Sequence, residues 1–315
     1  MSVETTFYPR LKDMQRLGND VEAKEYYAVA AHQAASVRVT AREALTDRRG
    51  YDAEFLDDFS VPLPKPVGER AADVTPVEGA SDNRLDYTHF SIVMSRSRRL
   101  AIFTALNIDG SRWVDVPRSN DRWSYDGRIP TELQAGEALY ANNSLDRGHL
   151  VRRTAPNWGD DAEQANSDTF HFTNCSPQMA GFNQKTWLGL ENYLLDNTRS
   201  DNSRTTVFTG PVFSDNDRVY RGIQIPAAFW KVVAFIRDDG RPSATAYMIE
   251  QGNLLDQLGF MFGQYKTHQR SVARIESLAQ LDFGQLSSYD GFSNEERATG
   301  TRIETELRSL DDIRV

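Results

Sequence analysis

The chain has 315 residues, 39% of them hydrophobic and 26% charged, with a formal net charge of -9. That size and composition suit one large or two modest globular domains. No run approaches the roughly 18 apolar residues of a membrane span, and the acidic balance weighs against a passive nucleic-acid binder, which presents a broad basic face. It leaves room for an enzyme with a local basic cleft. Cys175 is the single cysteine, so an intrachain disulfide is excluded. The opening MSVETTFYPRLKDMQRL lacks an apolar core of secretory type, and a cytoplasmic location without membrane contact is the expectation.

In chain order, residues 11 to about 48 read as helical. They are rich in Ala, Glu, Lys, Gln and Arg, with apolar residues at helical spacing and a break at Gly18-Asn19-Asp20. Residues 1–50 are therefore expected to form a helical extension, with His32 in a packing or surface role. Pro62, Pro64, Pro66 and Pro76 mark residues 51–82 as an extended connector. The main domain is placed at 83–285 and a C-terminal tail at 286–315. Tyr87–Met94 and Arg99–Ile108 read as strands, and Arg112–Val116 as a third. Residues 151–168 read as a long loop, of the kind that is often functional. Thr169–Thr173 reads as a short strand and 182–198 as a helix. Strands follow at Thr205–Phe213, Val219–Ile225, Ala228–Arg237 and Ala244–Glu250, with short helices near 252–259 and 271–280. Strands in runs rather than in strict alternation with helices argue for an α+β fold.

Two stretches carry chemistry: Leu145-Asp146-Arg147-Gly148-His149-Leu150, and Phe170 to Glu191 through Asn174-Cys175-Ser176-Pro177-Gln178. His149 is the candidate general base, since neutral imidazole takes a proton from water near neutral pH. Gly148 before it permits close backbone or ligand approach. Asn183 is the candidate metal ligand, because magnesium keeps several waters and needs few protein oxygens; its ordinary reading is a helix N-terminal asparagine.

Glu191 lies eight residues beyond, roughly 12 Å along a helix axis and about 80° around it, so it suits a metal-bound water better than direct ligation. Its ordinary reading is a solvated helix glutamate. Arg147 and Arg122 are candidate phosphate clamps, as guanidinium forks onto phosphate oxygens. Asp146 is expected to orient Arg147 or fix the loop, Asn174 to hydrogen-bond near the ion, and Gln178 to support the turn. His89 and His171 read as packing residues and His268 as part of a polar connector. Arg96, Arg98 and Arg99 form a second basic cluster, read either as a site or as a solvated strand edge.

The segments DRGHL, TNCSPQ and FNQKTWLGLEN resemble the DNA/RNA non-specific endonuclease family of ββα-metal (His-Me finger) nucleases, which includes secreted bacterial nucleases and mitochondrial endonuclease G. The resemblance covers about residues 83–285. It implies a ββα-metal finger core with a central, mostly antiparallel sheet flanked by helices. It further implies that His149 activates water, Asn183 ligates Mg2+ (with Mn2+ as a substitute), and Glu191 binds through the ion's water shell. Arg147 and Arg122 would contact phosphate and Asn174 would assist, giving 5′-phosphate and 3′-hydroxyl ends on DNA and RNA.

Secreted members carry signal peptides and often disulfides, which this sequence does not show, and the first 80 residues lie outside the resemblance. Two other readings stay open: an inactive nucleic-acid-binding or scaffold protein on the same fold, and a phosphodiesterase of small substrates. A cytoplasmic nuclease would endanger its own cell. Control by an inhibitor, an activator or self-association through residues 1–50 is therefore expected, in a phage-defence effector, a delivered toxin with its immunity protein, or a larger assembly.

Overall fold

Long apolar, β-branched runs in the middle of the chain pair into one broad sheet, and the short polar segments between them build a finger against one of its faces. The computed structural model describes residues 38–118, 122–143, 145–179, 188–251, 267–307 and 312–314. Its strands are β1 (Arg38–Thr40), β2 (Lys65–Pro66), β3 (Arg84–Tyr87), β4 (Phe90–Met94), β5 (Ala101–Asp109), β6 (Ser124–Asp126), β7 (Leu145–His149) and β8 (Cys175–Met179). They continue as β9 (Arg204–Val212), β10 (Arg218–Tyr220), β11 (Ile223–Ile225), β12 (Ala228–Ile236), β13 (Pro242–Glu250), β14 (Thr267–Arg270), β15 (Leu281–Asp282) and β16 (Thr305–Leu307). The helices are α1 (Gly68–Ala72), α2 (Glu137–Tyr140), α3 (Ala162–Asp168), α4 (Leu188–Ser200), α5 (Val272–Ala279) and α6 (Gly291–Thr299).

Eight strands form the main sheet in the order β16-β14-β13-β12-β9-β5-β4-β3, and each neighbouring pair is antiparallel. Side chains alternate across such a sheet. On β12, Phe229 and Val233 face one core with Leu106, Ile108, Leu150, Val151 and Leu195. Trp230, Val232 and Ala234 face the other, with Tyr51, Phe59, Phe208, Val272 and Ile275. Both faces are covered, so the central strands read as nearly continuous apolar runs. The α+β class and the mainly antiparallel central sheet agree with expectation.

Several local expectations are corrected. Within the extension read as helical, residues 38–40 are a strand in parallel register with Ser124–Asp126, and Arg42–Leu45 is a single 3₁₀ turn. The edge of β6 offers a ladder, and His171 Nε2 to Thr40 Oγ1 (2.9 Å) and Arg48 Nε to Asp168 (2.8 Å) fasten this segment down. Residues 1–37, with His32, lie outside the described residues, as does the helix expected near 252–259.

The proline-rich connector is no loose linker, because it buries Tyr51, Leu56, Phe59 and Val61 against the sheet. The C-terminal tail supplies β16, the edge strand beside β14. Tyr87–Met94 is a hairpin rather than one strand: Asp168 accepts from Thr88 N and Oγ1, and His89 turns the chain at φ 69°. Arg112–Val116 makes a bridge at Trp113 instead of a strand, the 151–168 loop contains α3, and the expected Thr169–Thr173 strand ends in a 3₁₀ turn at Phe172–Asn174.

Candidate active site

β7 and β8 form a two-stranded antiparallel ribbon with Arg147 opposite Pro177, Gly148 opposite Ser176 and His149 opposite Cys175. Strand alternation therefore sends Arg147 and His149 to one face, and Asp146 and Gly148 to the other. The buried side chain of Gln178 lies across Gly148, where a Cβ would come within 2.6 Å of Gln178 Cγ and closer still to its amide. Only glycine fits there. Gln178 fills the space over Gly148, and its amide has no hydrogen-bond partner among the described residues.

The imidazole of His149 is walled by aromatic rings. Trp123 lies 4.8 Å away, centroid to centroid, and Phe170 meets it edge-on at 5.2 Å. Trp123 in turn packs on Phe172 at 5.9 Å. Arg122 is exposed and directly precedes Trp123, so chain continuity puts it one residue from the wall of the imidazole. Arg147 is ion-paired with Glu137 at the start of α2 and lies over the Tyr140 ring at 5.5 Å. Its head is half-exposed, so Glu137 holds the guanidinium toward the open face while leaving donors available.

Asn174 is fully buried and its amide is committed. Its Oδ1 accepts from Val151 N at 2.9 Å, and its Nδ2 donates to Val151 O and Thr169 O, each at 2.9 Å. Leu150 N also donates to Asn174 O at 2.9 Å. These bonds lock the chain as it leaves His149. The expectation that Asn174 hydrogen-bonds beside an ion is thus corrected to a clamp on the His149 loop.

Glu191, on the first turn of α4, is buried rather than solvated: its Oε1 lies 3.1 Å from Lys231 Nζ. Leu150, Val151, Arg152, Glu191, Leu195 and Lys231 line one cavity, so this pair sits under the chain that leaves His149. Asn183 lies outside the described residues.

The remaining expected groups are accounted for. His171 bonds Asp168 O and Thr40, and burial holds its ring below the ordinary histidine range. His89 stacks on Trp158 at 3.4 Å. His268 belongs to β14 and pairs with Glu304, not to a connector. Arg98 is buried against Asp217 and Ser214 O, and Arg96 and Arg99 donate to Ala72 O and Gly222 O, so this cluster ties the turn between β4 and β5 to its surroundings. Burial pushes the Cys175 thiol up to about 12, far from the reactive range.

Three contributors escaped the sequence reading. Glu137 holds Arg147. Gln251 bolts β8 to the sheet, accepting from Met179 N and donating to Pro177 O and Pro226 O. Lys231 pairs with Glu191, and its signal was legible: one lysine in the apolar run AFWKVVAFI.

A hard divalent cation takes oxygen ligands and retains waters. No group of three or more His, Cys, Asp or Glu side chains converges among the described residues. Glu191 is held at one carboxylate oxygen by Lys231. A hard ion of that kind, with few protein ligands and its own waters, is compatible with the oxygen donors Glu191 and the expected Asn183.

A histidine delivered by a two-stranded ribbon, with a glutamate-bearing helix behind it and an antiparallel sheet beneath, is the arrangement of a ββα-metal nuclease. Residues 68–290 match the family model described as DNA/RNA non-specific endonuclease, and the chain belongs to that family, whose metal-dependent members use a divalent cation.

It is 48% identical over 219 residues to an uncharacterized protein, y4fB, of Sinorhizobium fredii, covering 65% of this chain and 33% of that one. It is 38% identical over 88 residues to mitochondrial endonuclease G of Homo sapiens (28% of each chain) and 33% identical over 99 residues to that of Bos taurus (31% and 32%). The chain thus spans about a third of the length of the curated relatives it matches. A crystal structure of endonuclease G in complex with the inhibitor EndoGI superposes with a TM-score of 0.52 at 18% identity, over 65% of this chain and 86% of that one, a likeness of fold.

Proposed function

We propose that the chain is a magnesium-dependent, sequence-non-specific endonuclease that hydrolyses phosphodiester bonds of DNA and RNA to 5′-phosphate and 3′-hydroxyl ends. The observation that carries this reading is the shared face of Arg147 and His149 on the β7–β8 ribbon, with the base held between Trp123 and Phe170. His149 takes the proton of a water as that water attacks phosphorus, a general-base role worth about 10²–10⁴ in rate. Aromatic walls on two sides keep the ring in one orientation and exclude competing solvent.

Arg147, aimed by Glu137, and Arg122 bind the non-bridging phosphate oxygens and offset the charge that grows on them. Asn174 contributes by fixing the chain at Val151 and so the exit of His149. Asn183 would ligate the divalent ion and Glu191 would bind it through a water, and the ion would supply Lewis-acid stabilisation of the phosphate and the leaving oxygen. Contacts of this kind read phosphate and not base edges, so sequence preference is weak and binding falls with salt.

A nuclease of this kind calls for restraint in a reducing, cytoplasmic setting. Residues 1–50 include β1, which is tied to β6 one residue beyond Trp123, and this favours that segment as the one through which an inhibitor, an activator or a second copy acts. A defence effector or a delivered toxin is the matching biological context.

Incubation with plasmid and with RNA, in Mg2+ and in EDTA, tests the proposal. The expected result is degradation of both in Mg2+ only, with new ends that ligate without prior phosphorylation. Cleavage of a small diester but never of plasmid would refute it in favour of a small-substrate phosphodiesterase, and no cleavage at all in favour of a binding or scaffold protein.

A further inference from the structure

Lys231 is an anomaly of burial. It sits at the centre of β12 among Phe229, Trp230, Val232 and Val233, and almost none of its surface reaches water. Isolated charges in such a place are costly, and even a buried ion pair seldom stabilises more than apolar residues of equal volume would. Apolar residues at both 191 and 231 would serve the packing at least as well, whereas loss of Lys231 alone leaves Glu191 buried without its partner. The pair with Glu191 therefore calls for an explanation other than stability.

The geometry supplies one. Lys231 and Thr209 are register partners on β12 and β9, and Lys231 Nζ donates to Thr209 Oγ1 at 3.0 Å. The ammonium is thus anchored to the rigid middle of the sheet, and from there it reaches Glu191 Oε1 at 3.1 Å. Burial pulls the ammonium below the ordinary lysine range, while Glu191 opposes that shift. The cavity under the loop leaving His149 is lined by Arg152, Glu191, Thr209 and Lys231 together.

We propose that Lys231 is a positioning residue. Through a Thr209–Lys231–Glu191 relay it ties the first turn of α4 to the central sheet, fixing the carboxylate of Glu191 so that its second oxygen meets the water shell of the divalent ion. The inference rests on the nuclease reading above and adds to it a residue outside the ribbon and the helix. Partners that orient ligand groups change metal affinity or activity by about 10–100-fold when removed.

The test measures Mn2+ binding to the full chain by electron paramagnetic resonance, alongside plasmid cleavage, for wild type, Lys231→Met, Thr209→Val, Glu191→Gln and the Lys231→Met/Glu191→Gln double variant. Lys231→Met is expected to weaken Mn2+ binding about 10–100-fold and to lower kcat, with the KM for plasmid little changed. In the Glu191→Gln background the same substitution adds less than about twofold, because the group it orients is gone.

A folded Lys231→Met chain that binds Mn2+ like wild type overturns the proposal. If Lys231→Met does not fold, Thr209→Val decides: weakening of Mn2+ binding by about threefold or more supports the relay, and a smaller effect overturns it. Wild type that neither binds Mn2+ nor cuts plasmid refutes the nuclease reading itself. Wild type that does both beside an unchanged Lys231→Met variant refutes only the positioning role.

Discussion

The substitution Gly148→Ala isolates how tightly the ribbon holds His149. A Cβ at 148 would lie 2.6 Å from Gln178 Cγ and nearer still to Cδ and Oε1. Gln178 is fully buried, so it has no solvent into which to swing. Overpacking of this kind costs about 1–3 kcal/mol, and a neighbouring base displaced by about 1 Å loses on the order of 10² in rate.

Removing the obstruction reverses both effects. The Gln178 amide has no hydrogen-bond partner among the described residues, so Gln178→Ala removes packing over Gly148 and no hydrogen bond to any of them. The double variant Gly148→Ala/Gln178→Ala places one methyl where the glutamine lay, and a favourable coupling of about 1–3 kcal/mol is expected between the two sites. Urea denaturation of the four chains gives the stability cycle, and initial rates of plasmid nicking give the kinetic one. Gly148→Ala with wild-type stability and rate, or effects that simply add in the double variant, would refute the packing argument.

Asn174→Ala should destabilise by about 3 kcal/mol, because two buried carbonyls and one amide N–H lose a partner at about 1–3 kcal/mol each before water enters the gap; denaturant midpoints measure it, and a change below 1 kcal/mol would restore a role outside the clamp. Glu137→Gln frees Arg147 from its ion pair, so the KM for plasmid should rise several-fold and steepen with salt; a KM unchanged across a salt series would contradict the aiming role. Burial opposes ionisation of Asp126, yet the Arg128 ion pair (2.7 Å) and the Tyr87 hydroxyl hold its carboxyl below the ordinary range. A depressed folded-state value means stability present above the ordinary carboxylate pKa of about 4 and lost as pH falls below it. Asp126→Asn should therefore flatten the acid limb of the stability curve below about pH 4, and an unaltered limb would count against it.

How far the sequence revealed these features depended on the range of the interaction. The long strands were legible because a sheet buried on both faces demands continuous apolar runs such as FWKVVAFI. Arg147, Gly148 and His149 were legible because their chemistry is compressed into one tetrapeptide. Contacts made across the chain were not. The turn at Thr88-His89 is fixed by Asp168, eighty positions on, and nothing local announces it. Residues 38–48 have helical composition, yet Arg38–Thr40 becomes a strand because β6 offers it an edge. Glu191 was read as the holder of a metal-bound water, with a solvated glutamate as its ordinary alternative, and nothing local announced Lys231 beneath it; Asn174 looked like a site residue until its amide was found fully engaged.

The account stands on His149 as the base. Single-turnover cleavage of plasmid in Mg2+ by wild type and by His149→Ala, with circular dichroism confirming equal folding, tests it most directly. A rate lower by about 10²–10⁴ in the variant is the predicted result. A folded His149→Ala chain that cuts as fast as wild type would contradict the assignment.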